Sequence, residues 1–273
     1  MKLIGNEDFV KIVELAKNRL PFPHSLLYGP SGSGKTTLAK FIANSTHQEI
    51  NIYYAPEIDP VLLTMMIRNV EKNNIIIIDE IHALNQKMME QIYQPIEEGI
   101  FQGIPLDPFT LIGVTTDLNK LPDALIRRFR LVYRVSLYSV EELSQVIHGL
   151  SKKDISGDAV ESIAMFSRGS PGVARNHIEL IEIMFGNNID VEEIEEYQKL
   201  KHIDNLGLED IDREYLKAVN NFGVLALSTL SSVLSEREKT IEEIIEPFLF
   251  RSGLAIKTSK GRILTPKGKG YIR

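Results

Sequence analysis

The sequence has no cysteine, which excludes disulfides and any zinc site built on thiolates. Its six histidines are scattered, without a spacing that would hold a metal by themselves. No signal-peptide core or membrane span can be read at the start, because Met1 to Val10 mixes Lys2, Glu7 and Asp8 into its apolar residues. A cytoplasmic protein with no membrane partner is therefore expected. Internal repeats and low-complexity linkers are also missing. Basic charge is in short supply overall: the net charge of −6 argues against a chain that coats nucleic acid through bulk charge. The shortage is uneven, however. From Arg251 to Arg273 there are seven basic residues and no acid, which leaves −13 on the part that precedes them.

At 273 residues the chain exceeds a comfortable single core, so two or three units are expected. Apolar positions Phe9, Ile12, Val13 and Ala16 predict an amphipathic helix over 7–19, with Asn6 as its N-cap. Short apolar runs then follow at 25–28, 50–54, 75–78, 111–115 and 131–135, mostly separated by helix-like stretches. That alternation predicts a doubly wound parallel α/β sheet. From Ser139 the strand signal stops. A Ser139/Glu142 capping box and the Ser170-Pro171 pair, a cap followed by proline at the first helical position, predict a small helical domain to about Asp204. Within it Asp190 to Glu196, with five acids, reads as a solvated helix face. Helices over 209–222 and 226–234 come next, then a third opened by a Thr240/Glu243 capping box and stopped near Gly253, with Pro247 expected to kink it. Strands over 254–258 and 262–265 flank Ser259-Lys260-Gly261, a hairpin signal. Three helices and a basic hairpin suggest a winged helix.

Gly29-Pro30-Ser31-Gly32-Ser33-Gly34-Lys35-Thr36 fits the Walker A pattern and stands between an apolar strand and a helical run that begins at Thr37. Glycines there let backbone N–H groups turn onto phosphates at a helix N-terminus, Lys35 neutralises the outer phosphates, and the Thr36 hydroxyl ligates magnesium. Ile75 to Ile78 followed by Asp79-Glu80 has the form of Walker B, with Asp79 holding the Mg2+ shell and Glu80 polarising the attacking water. ATP and its Mg2+ are the cofactors these elements imply. His82 stands where it could sense the γ-phosphate or serve as an ordinary capping or surface histidine. A further apolar strand ends in the hydroxyls of Thr115 and Thr116, and Arg127-Arg128-Phe129 closes a helix ahead of the last strand. In an oligomeric ATPase one of these arginines would reach a neighbour's γ-phosphate.

The order Walker A, Asp79-Glu-Ile-His82, Thr115-Thr116, Arg127-Arg-Phe129, helical lid, winged helix resembles the AAA+ family of RuvB Holliday-junction branch-migration motors. Its most specific pieces here are Leu26 to Ala39 around the P-loop, Ile78 to Asn85, Phe109 to Thr116, Arg168-Gly-Ser-Pro171, and Thr240 to Pro247 with Gly261-Arg262. The resemblance implies an AAA+ nucleotide-binding domain over 1–137, a lid over 138–205 and a DNA-binding winged helix over 206–273. It implies a hexameric homo-oligomeric ring that encircles duplex DNA and pulls it by ATP hydrolysis at subunit interfaces. Carried over residue by residue, Lys35, Thr36, Asp79 and Glu80 keep their roles, Thr116 (or Thr115) is sensor 1, and Arg128 is the arginine finger. Leu3, Ile4 and Tyr138 would pack around adenine; Gly29 to Thr37 and Pro171 would line the nucleotide. Lys257, Lys260 and Arg262 would meet the DNA backbone.

The chain also departs from the family pattern. Only Gly99 to Pro108 separates Glu98 from Phe109, too few residues for two strands of typical length plus a turn, so docking of the partner RuvA on a hairpin there is expected to be lost or altered. Gly172 stands where the family has the sensor 2 arginine, and Arg175 is one helical turn on. The chain begins close to Leu3-Ile4, without the family's basic arm, and Ile126 replaces the outer arginine of Arg-x-Arg-Phe. Slow or partner-dependent hydrolysis is the expectation. Two other classes compete with the motor. Thr115-Thr-Asp117 followed by Leu121-Pro122 also looks like clamp-loader subunits, which would place a helicase or clamp on DNA. Gly172 equally suits a nucleotide-gated DNA-binding protein with little catalysis.

Overall fold

A computed structural model describes residues 3–151, 153–186 and 188–272. The chain divides into two compact units, 1–146 with 169–173 and 147–168 with 174–273. In the first, α1 (Glu7–Ala16), β1 (Ser25–Tyr28), α2 (Lys35–Thr46), β2 (Ile50–Tyr54), α3 (Pro60–Arg68) and β3 (Ile75–Asp79) precede α4 (Gln86–Glu98). Then come β4 (Ile100–Phe101), β5 (Ile104–Pro105), β6 (Thr110–Thr115), α5 (Asp123–Ile126), β7 (Leu131–Arg134) and α6 (Val140–Leu150). The five long strands form one parallel sheet in the order β2-β3-β6-β1-β7.

Successive side chains of a strand point to opposite faces, and the apolar run of β3 is split accordingly. Ile75 and Ile77 join Phe9, Leu38 and Ile42, whereas Ile76 and Ile78 join Leu63, Met88 and Met89. Burial on both faces is why β3 and β6 read as unbroken apolar runs instead of alternating ones. The crossover helices carry their own caps: Asp59 accepts from Leu62 N–H at α3 and Asn85 from Met88 N–H at α4. Asn6 differs from its expected role. It precedes α1 in a left-handed conformation (φ 51°) and makes no side-chain cap bond, and α1 stops at Ala16.

The ten residues between α4 and Phe109 do hold a hairpin, reduced to two pairs, Ile100 with Pro105 and Phe101 with Ile104. Gln102 and Gly103 both have positive φ (51° and 77°), the geometry of a two-residue turn whose twist matches the strands.

The second unit continues through β8 (Asp154–Ile155), α7 (Gly157–Phe166), α8 (Pro171–Phe185), β9 (Asn188–Ile189) and α9 (Val191–Lys201). Beyond them lie α10 (Asp210–Phe222), α11 (Leu227–Leu234), α12 (Glu238–Thr240), α13 (Glu246–Arg251), β10 (Ala255–Thr258), β11 (Gly261–Leu264) and α14 (Pro266–Ile272). The Ser139/Glu142 capping box forms reciprocally (2.8 and 3.2 Å), and Ser170 Oγ accepts from Val173 N–H. The strand signal does not stop at Ser139: β8 and β9 form a short parallel pair. Asp190 and Glu193 make a capping box at α9, so two of the acids read as surface charge also open the helix.

The Thr240/Glu243 box is not formed. Thr240 is already helical (φ −60°, ψ −43°) with no side-chain cap bond, because the helix starts at Glu238. Pro247 is accommodated by a π turn over Ile241–Ile245, which widens the helix where the missing N–H and the ring would otherwise break the ladder. The hairpin turn is Ser259-Lys260, with Thr258 opposite Gly261, one residue earlier than the spacing suggests. Leu225 bridges Arg262 as a short third partner, and α14 closes a core with Leu208, Tyr215, Leu230, Leu249 and Leu264.

Candidate functional site

The P-loop bends because Gly32 (φ 71°) and Gly34 (φ 93°) occupy left-handed backbone that side chains resist. Gly34 is the N-cap of α2, so Lys35, Thr36 and Thr37 form its first turn, whose N–H groups have no intrahelical acceptor. This is an anion-seeking end. Lys35 is 6% exposed and donates from Nζ to the carbonyls of Gly29 (3.1 Å) and Pro30 (2.8 Å). Burial pushes its ammonium pKa down, opposed by the charges of Glu80 and Asp79. Ser33 Oγ is buried without a protein partner among the described residues.

Asp79 ends β3, and its Oδ2 accepts from Thr36 Oγ1 at 2.8 Å, joining the two elements that the sequence keeps 43 residues apart. The chain then turns through Glu80 (φ 51°), whose Oε2 accepts from both the N–H (3.2 Å) and the hydroxyl (3.0 Å) of Thr116. His82 Nδ1 lies 3.2 Å from the same oxygen and 2.9 Å from Thr115 Oγ1. Thr115 Oγ1 in turn donates to Asp117 O (3.1 Å), so the network suits the tautomer in which His82 Nδ1 carries the proton. The two threonines thus separate: Thr116 meets Glu80, and the fully buried Thr115 meets His82. His82 is a part of the site, not a surface histidine.

Tyr138 stands between the N-terminal segment and the P-loop. A Cβ on Gly5 would lie 2.9 Å from its ring, and one on Gly34 would lie 3.7 Å from its hydroxyl. Burial raises its pKa. Leu3 packs against the core on the α2 side of the sheet. Pro171 opens α8 beside the P-loop, where Gly32 O accepts from both Ser170 Oγ (3.1 Å) and Gly172 N–H (3.0 Å). A Cβ at position 172 would fall 2.9 Å from Gly32 Cα. Gly172 thus makes a backbone approach to the P-loop that only glycine permits in this conformation. Arg175 is exposed.

Arg128, just past α5, folds back on its own unit. Nε lies 2.8 Å from Glu97 Oε2, and the guanidinium sits 4.3 Å from the centroid of the Tyr93 ring. Its neighbour Arg127 is exposed.

The tail's cations divide. Lys260 is exposed at the hairpin turn, and exposed Lys257 pairs with Glu242 at 3.1 Å. Arg262 does not face solvent. It is 5% exposed, with Nε 2.7 Å from Glu246 Oε1 and Nη2 3.2 Å from Oε2, and Nη2 also reaches Glu242 at 3.0 Å. Its placement at the DNA backbone is thus corrected on burial: Glu242 in the π turn and Glu246 directly after it take Nε and Nη2, so most of the guanidinium is committed inside the domain. Sequence reasoning missed Glu242 and Glu246, and also Glu97 and Tyr93. The spacing of each pair, four apart on a helix, was visible, but the partner on a distant segment was not.

A family model described as "Holliday junction DNA helicase RuvB P-loop domain" matches residues 5–135, and one described as "RuvB C-terminal winged helix domain" matches residues 205–273. The chain belongs to the RuvB family. RuvB of Fervidobacterium nodosum, a Holliday junction branch migration complex subunit, is 34% identical over 91% of this chain and 78% of its own length. The protein of the same name from Prochlorococcus marinus is 34% identical over 99% and 85%. The solved Thermotoga maritima RuvB Holliday junction branch migration motor superposes with a TM-score of 0.86 at 30% identity, covering 98% of this chain and 95% of that one. No helix among the described residues is long and apolar enough to cross a membrane.

Proposed function

We propose that this chain is an ATPase of the RuvB kind that drives branch migration of Holliday junctions, working in the cytoplasm as a homo-oligomeric, hexameric ring on DNA. The observation that carries it is the 2.8 Å bond by which Thr36 of the P-loop meets Asp79 at the end of β3 in a RuvB-family chain. The P-loop domain is assigned to residues 1–137, the lid to 138–205 and the winged helix to 206–273.

Among the described residues no cluster of three or more acids or histidines could hold a metal by itself. A hydroxyl and a carboxylate oxygen fit a magnesium ion that takes its remaining ligands from phosphate and water. Thr36 and Asp79 would hold Mg2+, which supplies neutralisation of charge on the transferred phosphoryl group. Lys35 exchanges its two P-loop carbonyls for phosphate oxygens, and the free amides of the first turn of α2 receive the rest of the anion. Leu3, Ile4, Tyr138 and Pro171 enclose the nucleoside. Glu80 orients the attacking water once its carboxylate leaves Thr116, which then acts as sensor 1. Arg128 is the finger for the adjoining protomer, and Lys257 with Lys260 contacts DNA phosphates. The two-pair hairpin supports the view that RuvA docking is altered or replaced by another partner.

A labelled four-way junction incubated with ATP, alone and with RuvA-type partners, tests the reading. ATP-dependent conversion to duplex products is expected, and Glu80→Gln should bind nucleotide yet give none. No product under any condition would remove the motor assignment.

A further inference from the structure

Arg128 is held by two residues of α4 that nothing in the nucleotide site requires. Tyr93 and Glu97 are four apart on that helix and so present one face. Tyr93 offers its ring to the guanidinium at 4.3 Å, and Glu97 offers a carboxylate oxygen 2.8 Å from Nε. Arg128 also donates from Nη1 to Ala124 O within its own turn. Nε is shielded from solvent, but it is not aligned with Glu97 for a hydrogen bond, so the contact is an ion pair without directional lock. More than half of the Glu97 side chain remains exposed. Such a pair is weak enough to be exchanged for a stronger one, and a triphosphate offers a bidentate, more highly charged acceptor. The adjacent Arg127 is exposed, so the retention is specific to one of the two arginines.

We infer that Glu97, with Tyr93, is a positioning pair that docks the Arg128 finger on its own protomer and must release it before the neighbour's pocket is complete. The inference rests on Arg128 being the finger proposed above. Docked and extended arginine form a two-state equilibrium, and removing the Glu97 charge shifts it toward the extended form by the contribution of an ion pair whose carboxylate is largely exposed, about two- to fivefold. Glu97 touches no reacting atom; it acts only through the population of free finger.

Mixed rings isolate the effect. Protomers with Lys35→Ala cannot use their own pocket but supply a finger, and protomers with Arg128→Ala supply a pocket without one. ATP turnover of this mixture is compared with one in which the finger donor also carries Glu97→Gln. A rise of about two- to fivefold in turnover at unchanged KM is expected, with a further rise on Tyr93→Ala in the same donor. When Glu97→Gln is moved to the Arg128→Ala protomer, turnover should stay at the level of the unmodified mixture. Unchanged or reduced turnover with Glu97→Gln in the donor overturns the dock, as does an equal rise from either protomer, which would mark a general structural effect. The finger assignment is tested separately: Arg128→Ala alone must bind ATP without turning it over, and hydrolysis at the parent rate would refute that reading whatever Glu97 does.

Discussion

Replacing Arg262 with alanine removes one partner of a buried ion pair and leaves the other in place. Glu246 is 2% exposed and would be deprived of the guanidinium nitrogens at 2.7 and 3.2 Å, keeping only the Tyr215 hydroxyl at 3.1 Å. Breaking a pair of this kind costs about 3–5 kcal/mol, because a carboxylate stays dehydrated without its countercharge. With a urea dependence of roughly 2 kcal/mol per molar for a small domain, the midpoint of the winged-helix transition should fall by roughly 2 M. Urea titration followed by circular dichroism reads the shift. The double variant Arg262→Met with Glu246→Leu should recover most of the loss, since apolar side chains of similar volume need no countercharge. A single-variant cost below about 1 kcal/mol, or a double variant as unstable as the single one, would refute the buried-pair argument. It would also return Arg262 to the candidates for DNA contact.

Alanine at both Lys257 and Lys260 should leave that midpoint near the parent value and weaken duplex binding without sequence preference. The slope of log affinity against log salt should decrease in magnitude by about 0.9 for each phosphate that is no longer neutralised, up to about 2 in total; an unchanged slope in fluorescence-anisotropy titrations would dismiss the wing as a DNA-binding element. His177, buried against Tyr197 and Phe166, has its pKa lowered to about 4 by burial and then by Lys201 and Arg168. Its folded pKa lies below the ordinary value of 6.5, so the unfolded chain takes up the proton first. Stability should therefore fall as pH drops from about 6.5 to about 4, by about 3 kcal/mol for this one group. His177→Gln should flatten this dependence in urea midpoints taken across the range, and parallel curves for parent and variant would count against it.

The motifs with a local physical cause were legible in the sequence. A glycine-rich turn before a helix and an unbroken apolar strand ending in two acids each declare themselves over a few residues, so Lys35, Thr36, Asp79 and Glu80 stand out in the sequence as candidates. The parallel sheet followed from strands that must be buried on both faces, and the capping box at Ser139 and the cap at Ser170 from side chains that serve their own backbone. Where the sequence was silent about a charged side chain, the cause was the same. Arg262 looks like a free cation, and the ion pair of Arg128 is invisible, because charge alone carries no information about its partner; Glu246, Glu242 and Glu97 reach them from segments that only folding brings close. Thr240 resembled a cap because its spacing to Glu243 is right, yet the helix had already begun two residues earlier.

Composition and spacing by themselves determined that this chain binds a triphosphate, and through family likeness that it does so as a RuvB-type protein. Tertiary structure alone decided which threonine faces Glu80, that Gly172 lies against Gly32 too closely for a side chain, and which tail cations stay in solvent. The reason is that local motifs fix backbone geometry within one or two turns, whereas the pairing and burial of a charge depend on residues tens of positions away, which only the packed chain assembles.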